Sequence, residues 1–264
     1  MSDHGFSASE IDTGRPHPAR MYDYWLGGRD NYEVDRDAAE RALAASPRIR
    51  DAIRANRAFM RRAVRAVVES GARQIIDIGT GIPTSPNTHE IAQAIAPDAR
   101  VAYIDNDPIV SVHAQARLTG ANGTGFALAD LRDPTGLLTN PVVKSVIDFD
   151  QPVAVLLVAV LHFVTDLEHP AQIVATLRDA LPSGSWLALT HGTSDTAVHD
   201  TTEAVAVYRN ATATLNLRPH RQVLSFFDGF ELIEPGLVTI SEWRPEPDAQ
   251  ITKFGIFGGV GRKP

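Results

Sequence analysis

The 264-residue chain contains no cysteine. Disulfides, thiolate metal sites, iron–sulfur clusters and thiol nucleophiles are therefore excluded, and the lack of cross-links fits a reducing compartment. Long apolar runs are missing too. The longest, from Pro152 to Val164, is broken by His162 and is too short to span a bilayer. The first residues, Met1-Ser2-Asp3-His4-Gly5, are polar and acidic and carry no secretory pattern, so a cytoplasmic location is expected. Histidines 162, 191, 199 and 220 are scattered, and the lone i, i+4 pair His199 and Glu203 reads as a solvated helix contact, so no metal site is expected.

With 44% hydrophobic residues the chain can bury a full core. The net charge of −7 is unevenly spread: residues 1–73 hold 13 Lys and Arg against 11 Asp and Glu, and the remainder 12 against 21. Arg48, Arg50, Arg54, Arg57, Arg61, Arg62 and Arg65 fall on one expected helix. They read as a solvated face beside an acidic body, with phosphate contact as the alternative.

Two units are expected, a flexible leader and helical cap over 1–73 and an α/β domain over 74–264. Residues 1–15 are polar and aperiodic. From Ala19 to about Ser70 the apolar positions Ile49, Ile53, Met60, Val64 and Val67 line one helical face, and Gly27-Gly28 and Ser46-Pro47 divide the segment into two or three helices. Beyond Gln74, short apolar runs alternate with helical patterns, which predicts a parallel sheet with crossover helices. Strands are expected near 74–78, 100–104, 124–128, 153–158, 186–190, 237–243 and 252–258. Helices are expected from Pro86 to about Ala96 with Ser85 as cap, after Asp107-Pro108, over 166–181, and over 195–215.

The chemistry concentrates at three strand ends. Gln74-Ile75-Ile76-Asp77-Ile78 runs into Gly79-Thr80-Gly81, and the next apolar run ends in Asp105, 24 positions beyond Gly81. Glycines let the first turn approach a ligand, and a carboxylate on the second strand can accept hydrogen bonds from both ribose hydroxyls. A dinucleotide site would carry a third glycine where Pro83-Thr84 stands, which disfavours NAD. Asp130-Leu131 then closes the third strand with a carboxylate and an apolar residue suited to an adenine amino group and ring.

At this point the chain resembles the class I S-adenosylmethionine-dependent methyltransferases. Arg20-Met21-Tyr22-Asp23-Tyr24-Trp25-Leu26-Gly27-Gly28-Arg29-Asp30-Asn31-Tyr32, with Ile78-Gly79-Thr80-Gly81-Ile82-Pro83-Thr84, is similar to a bacterial S-adenosyl methyltransferase family of undefined substrate. The resemblance implies a Rossmann-like fold, with a seven-stranded, mostly parallel sheet whose last strand is inserted antiparallel. It also implies S-adenosylmethionine as cofactor, with Asp77, Gly79, Thr80 and Gly81 at the methionine moiety, Asp105 at the ribose, Asn106 at the adenine edge, Asp130 and Leu131 at the adenine, and Ala159 to His162 under the sulfonium.

Tyr22 could bind the methionine carboxylate with help from Asn31 or Arg20, or could simply anchor the cap. Trp25 reads as an anchor. His162 is the candidate general base and His191 the second, whereas Arg218 and His220 read as cap or surface residues before acceptor-pocket ones. The expected acceptor is a small molecule. The fourth strand ends in Ala-Val-Leu-His, without the motif that grips a flipped base, so no nucleic-acid partner is expected. Two alternatives stay open here: a non-catalytic S-adenosylmethionine-binding protein and an NAD(P)-dependent oxidoreductase.

Overall fold

The computed structural model describes residues 13–195, 206–208 and 211–264. Three helices open the chain: α1 (Pro18–Trp25), α2 (Glu33–Ala45) and α3 (Ile49–Glu69). Pro18 starts α1 where a missing N–H costs nothing. The Asp35 carboxylate caps α2 by accepting from the Tyr32 N–H and also takes the His17 N–H, which joins the two helix starts. Gly28 has no room for a side chain, because a Cβ there would run into the Asp23 carboxylate.

Five parallel strands follow: β1 (Gln74–Ile78), β2 (Arg100–Asp105), β3 (Thr124–Leu128), β4 (Ala154–Val158) and β5 (Trp186–Gly192). Helices α4 (Thr88–Ile95), α5 (Pro108–Arg117), α6 (Pro134–Thr139), α7 (Pro141–Val146), α8 (Pro170–Asp179) and α9 (His220–Ser225) cover the two faces. The sheet is completed by β6 (Glu231–Leu232), β7 (Val238–Thr239) and β8 (Ile256–Arg262), in the order β3-β2-β1-β4-β5-β8-β6, with β7 also paired to β8. As expected, the last strand is inserted antiparallel, here between β5 and β6.

Alternation along the strands divides the core. Ile75, Val101 and Tyr103 face α3, α4 and α5, while Ile76, Ile78, Ala102 and Ile104 face α6 to α9. Met21 and Trp25 of α1 pack with Ala38, Ala39 and Ala42 of α2 in a third cluster. Trp25 is an anchor, its indole N–H donating to the Ala39 carbonyl. Among the described residues no helix is long and apolar enough to cross a membrane.

Several expected boundaries shift. The sheet has eight strands, since the expected strand at 237–243 contracts to two residues and Glu231–Leu232 adds another. The final strand, expected over 252–258, runs from Ile256 to Arg262 and continues through Gly258, Gly259 and Gly261. In the fold their missing side chains leave room for Phe59, Phe227 and Phe230 against the strand. Helix α4 is capped by Asn87 with Glu90, not by Ser85. A 3₁₀ turn at Asp166–Glu168 precedes α8, which begins only at Pro170. Of the helix expected over 195–215 most lies outside the described residues, as do His199 and Glu203, and 211–215 is not helical.

Gly258 tests the close approach of α3 to β8, because a Cβ there would lie 2.7 Å from Phe59 Cε2. Gly258→Ala is expected to lower stability by about 1–3 kcal/mol in thermal denaturation. Combining it with Phe59→Leu should recover part of the loss, and simple additivity of the two would count against this contact.

Candidate functional site

The carboxyl ends of β1 to β4 open into a cavity of about 540 Å³ roofed by α1 and α3. Its floor is the turn after β1. The Gly79 and Thr80 N–H groups both donate to the Ile104 carbonyl, at 2.8 and 3.1 Å, tying this turn to the end of β2. Gly79 and Gly81 have φ of +71° and +66°, a region that favours glycine. They differ in surroundings. A Cβ on Gly79 would strike Val160 at 2.5 Å, whereas one on Gly81 meets nothing within 4 Å, so Gly81 leaves its backbone open to a ligand.

The turn's onward path is set from outside. Arg57 of α3 donates to the Thr84 and Pro86 carbonyls, at 2.7 and 3.0 Å, holding the Pro83-Thr84 segment where a dinucleotide fold would carry its third glycine. Asp77 is half-buried beneath it and accepts from Thr88 Oγ1 at 2.6 Å; desolvation raises its pKa, and that hydrogen bond opposes the rise.

Asp105 joins the strand-end loops. Its Oδ2 accepts from the Gly81 N–H at 2.8 Å and its Oδ1 from the Asp107 N–H at 2.9 Å. Burial pushes its pKa up to about 6; the two backbone donors oppose that, and the neighbouring Asp107 adds to it. Asp107 caps α5 through the Ile109 N–H, and its other oxygen lies 3.0 Å from His17 Nδ1. The same nitrogen is 3.3 Å from the Ala19 N–H, and one ring nitrogen cannot both donate and accept. The shorter contact, to a buried carboxylate oxygen with no other partner among the described residues, assigns the proton to Nδ1 and the bond to Asp107.

At the third strand end, Asp130 accepts from Asn106 Nδ2 at 3.0 Å and from the Arg132 N–H and guanidinium, both at 2.9 Å. Burial raises its pKa, but these donors outweigh burial and hold the carboxyl below its ordinary range. Three of roughly four lone-pair positions are used, which leaves one for a ligand amino group. Leu131 lines the cavity beside it.

After β4, Ala159 adopts φ +56°, an uncommon conformation for a residue with a Cβ, and donates its N–H to Thr190 Oγ1 at 2.8 Å. This bend turns Val160 onto Gly79 and sets His162 on the cavity wall. His162 Nδ1 accepts from the Gly192 N–H at 3.4 Å. Burial, then His191 and Arg218, hold its pKa well below the usual histidine value, so the ring is neutral.

Of the residues expected at the site, Tyr22 lines the cavity with the strand-end set, and Asn31 does not. The Asn31 amide instead donates to Asp23 Oδ2 and the Gly28 carbonyl, binding the double-glycine turn. His191 also lies off the cavity wall. It bridges the Gly192 carbonyl and Arg218 Nη1 in the core, and burial lowers its pKa to about 4. Arg218 is neither cap nor surface: it is 2% exposed and binds Asp166 Oδ1 and the Val164 carbonyl, pinning the loop that carries His162. His220 hydrogen-bonds to the Leu237 carbonyl.

Sequence reasoning missed Arg57 and Asn56. The former looked like one more arginine of a basic stripe, and its carbonyl partners lie 27 and 29 residues away. Much of that stripe is occupied internally: Arg62 holds the Trp243 and Ile240 carbonyls, and Arg50, Arg54 and Arg65 pair with Glu40, Asp51 and Glu246.

The sheet order, the inserted last strand and the glycine turn with its acidic strand ends define a class I S-adenosylmethionine-dependent methyltransferase. The chain belongs to the S-adenosyl methyltransferase family, which matches residues 4–264, and its cofactor is S-adenosylmethionine. A DUF574 family protein from Streptomyces avermitilis MA-4680 is similar at 41% identity, with 96% of this chain and 100% of that one covered and a TM-score of 0.92. A proposed methyltransferase from Thermobifida fusca YX is similar at 37% identity, with coverages of 96% and 97% and a TM-score of 0.90. Human N-acetylserotonin methyltransferase, solved in complex with SAM, shares the fold at 13% identity, with 95% of this chain and 63% of that one covered and a TM-score of 0.52. None of the curated proteins matches this chain. The oxidoreductase and the non-catalytic binding protein are thereby set aside.

Two structural predictions follow from this geometry. Gly79→Ala combines a left-handed φ with the Val160 clash and is expected to cost about 1–3 kcal/mol, read as a lowered thermal midpoint. His191 has its folded pKa below the unfolded value of about 6.5, so the unfolded state binds more protons between those two values. Its contribution is present above pH 6.5 and is lost as pH falls towards 4, by about 3 kcal/mol at most. Denaturation of His191→Gln across this range should show a shallower acid slope than the wild type; equal slopes would refute the assignment.

Proposed function

We propose that this methyltransferase acts in the cytoplasm on a small-molecule acceptor by direct in-line transfer, with residues 1–73 as leader and cap over the 74–264 domain. The observation that carries the reading is the single roofed cavity wall, on which the cofactor strand ends meet an apolar surface from α1 and α3. A pocket of this size suits a nucleoside and a compact acceptor rather than a macromolecular strand. The internal pairing of the basic helix also supports a small molecule over a nucleic acid.

The chain's groups fit the cofactor. The open backbone at Gly81 beside the Asp105 carboxylate suits a ribose diol, and Thr80 and Asp77 border the methionine end. Asn106, Asp130 and Leu131 form the adenine edge, and Tyr22 reaches the methionine from α1. S-adenosylmethionine supplies a methyl group already activated on a sulfonium sulfur. The protein's work is then alignment and exclusion of water, for which the roof and the rigid Ala159 bend are suited.

His162 enters this reading in a changed role. With Nδ1 accepting from Gly192, the proton sits on Nε2, so the neutral ring donates a hydrogen bond to the acceptor in place of the expected general base.

Calorimetry with S-adenosylmethionine and S-adenosylhomocysteine tests the site. Micromolar binding is expected, weakened about 100-fold by Asp105→Ala because charge-assisted bonds to the ribose are lost. The Asp105 carboxyl titrates near 6, so wild-type affinity should climb from pH 5 to 7 and then level off, a rise missing from Asp105→Asn. Affinity indifferent to both pH and substitution would leave Asp105 a purely structural role. Labelled methyl from turnover with cell extract should pass a membrane that retains protein and RNA; label held back on the membrane would refute a small acceptor.

A further inference from the structure

Asn56 is 1% exposed, lines the cavity, and its Oδ1 has no hydrogen-bond partner among the described residues. Its Nδ2 donates to the Tyr22 hydroxyl at 3.1 Å, which fixes the carboxamide and leaves the oxygen as the unsatisfied end. A buried acceptor without a donor is costly, and at a cavity wall it calls for a ligand donor.

The position of Asn56 on α3 says which ligand. One and two turns before it, Ile53 and Ile49 belong with Phe163, Tyr208 and Leu215 to an apolar cluster, where the Phe163 and Tyr208 rings lie 5.6 Å apart. One turn after it, Met60 Sδ lies 3.9 Å from the Thr88 hydroxyl, which donates to Asp77 at the cofactor end. The carboxamide therefore stands at the junction of the apolar chamber and the cofactor strand ends. Of the guanidinium groups that line the cavity, Arg57 is engaged on the Thr84 and Pro86 carbonyls and Arg20 lies beside Asp35, while Arg48 lines it from the exposed side, over the Phe254 ring. Among the described residues that line the cavity, the guanidinium groups other than Arg48 are engaged and Arg48 is solvent-exposed, so a carboxylate or phosphate held at Asn56 would have no buried counter-ion among them.

We propose that the methyl acceptor is a neutral, ring-containing molecule seated between Ile53, Phe163 and Tyr208, and that Asn56 Oδ1 accepts a hydrogen bond from its reacting O–H or N–H. Asn56 is thus the residue that selects and orients the nucleophile. This rests on the small-molecule reading above. In the transfer the acceptor oxygen or nitrogen forms a bond to the methyl carbon as the carbon–sulfur bond breaks. The sulfur keeps the bonding pair as a neutral thioether, and the acceptor's proton passes to solvent.

The test uses the whole chain saturated with S-adenosylhomocysteine and neutral one- to three-ring probes: phenol, 2-naphthol, 2-naphthylamine and a hydroxyflavone. Each is compared with its methylated derivative and a carboxylated analogue. At least one hydroxy- or amino-arene should bind about tenfold tighter than its methylated and carboxylated counterparts. Asn56→Leu should remove that preference and Asn56→Asp should retain most of it. Both should still bind S-adenosylhomocysteine, which certifies their fold, with a loss of no more than about tenfold because Tyr22 forfeits its Asn56 donor. Equal binding of hydroxyl and ether, tighter binding of the carboxylate, or no probe bound while the cofactor product binds would each overturn the acceptor class. Loss of S-adenosylhomocysteine affinity in Asn56→Leu with probe selectivity intact would instead assign Asn56 to the cofactor. Failure of the wild type to bind S-adenosylhomocysteine would fell the cofactor-site reading first, and this inference with it.

Discussion

The buried carboxylate of Asp105 is the joint on which the strand-end loops hang. It holds the Gly81 N–H on one oxygen and the Asp107 N–H on the other, so the turn after β1 and the entry to α5 share one charged group. Asp107 in turn bonds His17, whose backbone N–H is held by Asp35 at the start of α2. A continuous polar chain therefore runs from the cofactor floor to the roof. Desolvating so many carboxylates is tolerable only because each is met by fixed donors, the condition for keeping charge in a protein interior.

The opposite wall depends on Arg218. Its guanidinium collects Asp166, the Val164 carbonyl and His191, closing the loop after β4 against the strand that follows. That loop carries His162 and, through Val160, presses on Gly79. The two halves of the site are thus mechanically coupled: the missing side chain at Gly79 allows the β4 loop to close, and Arg218 keeps it closed.

Between these polar frames the roof has a different chemistry. Helix α3 presents Ile49 and Ile53 to the cavity near its start, Asn56 at mid-height and Met60 lower down. One helix face thereby grades from apolar chamber to cofactor floor. The same helix, through Arg57, fixes the loop that a third glycine shapes in dinucleotide folds, and through Phe59 it seats on Gly258 of β8. A long helix laid across the strand ends is what makes one enclosed site from separate loops.

Five parallel strands, the glycine turn and the acidic ends at 105 and 130 were legible in the chain itself, because alternation, φ-permissive glycines and strand-end carboxylates are local properties that neighbours in sequence express. The inserted strand was placed with help from the family resemblance, and its far end was set short, at 258 instead of Arg262, where Gly258, Gly259 and Gly261 make room for aromatic rings packed from elsewhere. Asn31, Arg57, His191 and Arg218 were misread for one reason. Their partners lie from a few residues to more than fifty away, and a polar side chain's role is set by which donor or acceptor folding brings beside it. The sequence by itself determined the fold class and the cofactor. Only the tertiary structure decided which polar groups satisfy one another in the frame and which, like Asn56 Oδ1, find no partner among the described residues, since hydrogen-bond satisfaction is a property of the packed whole.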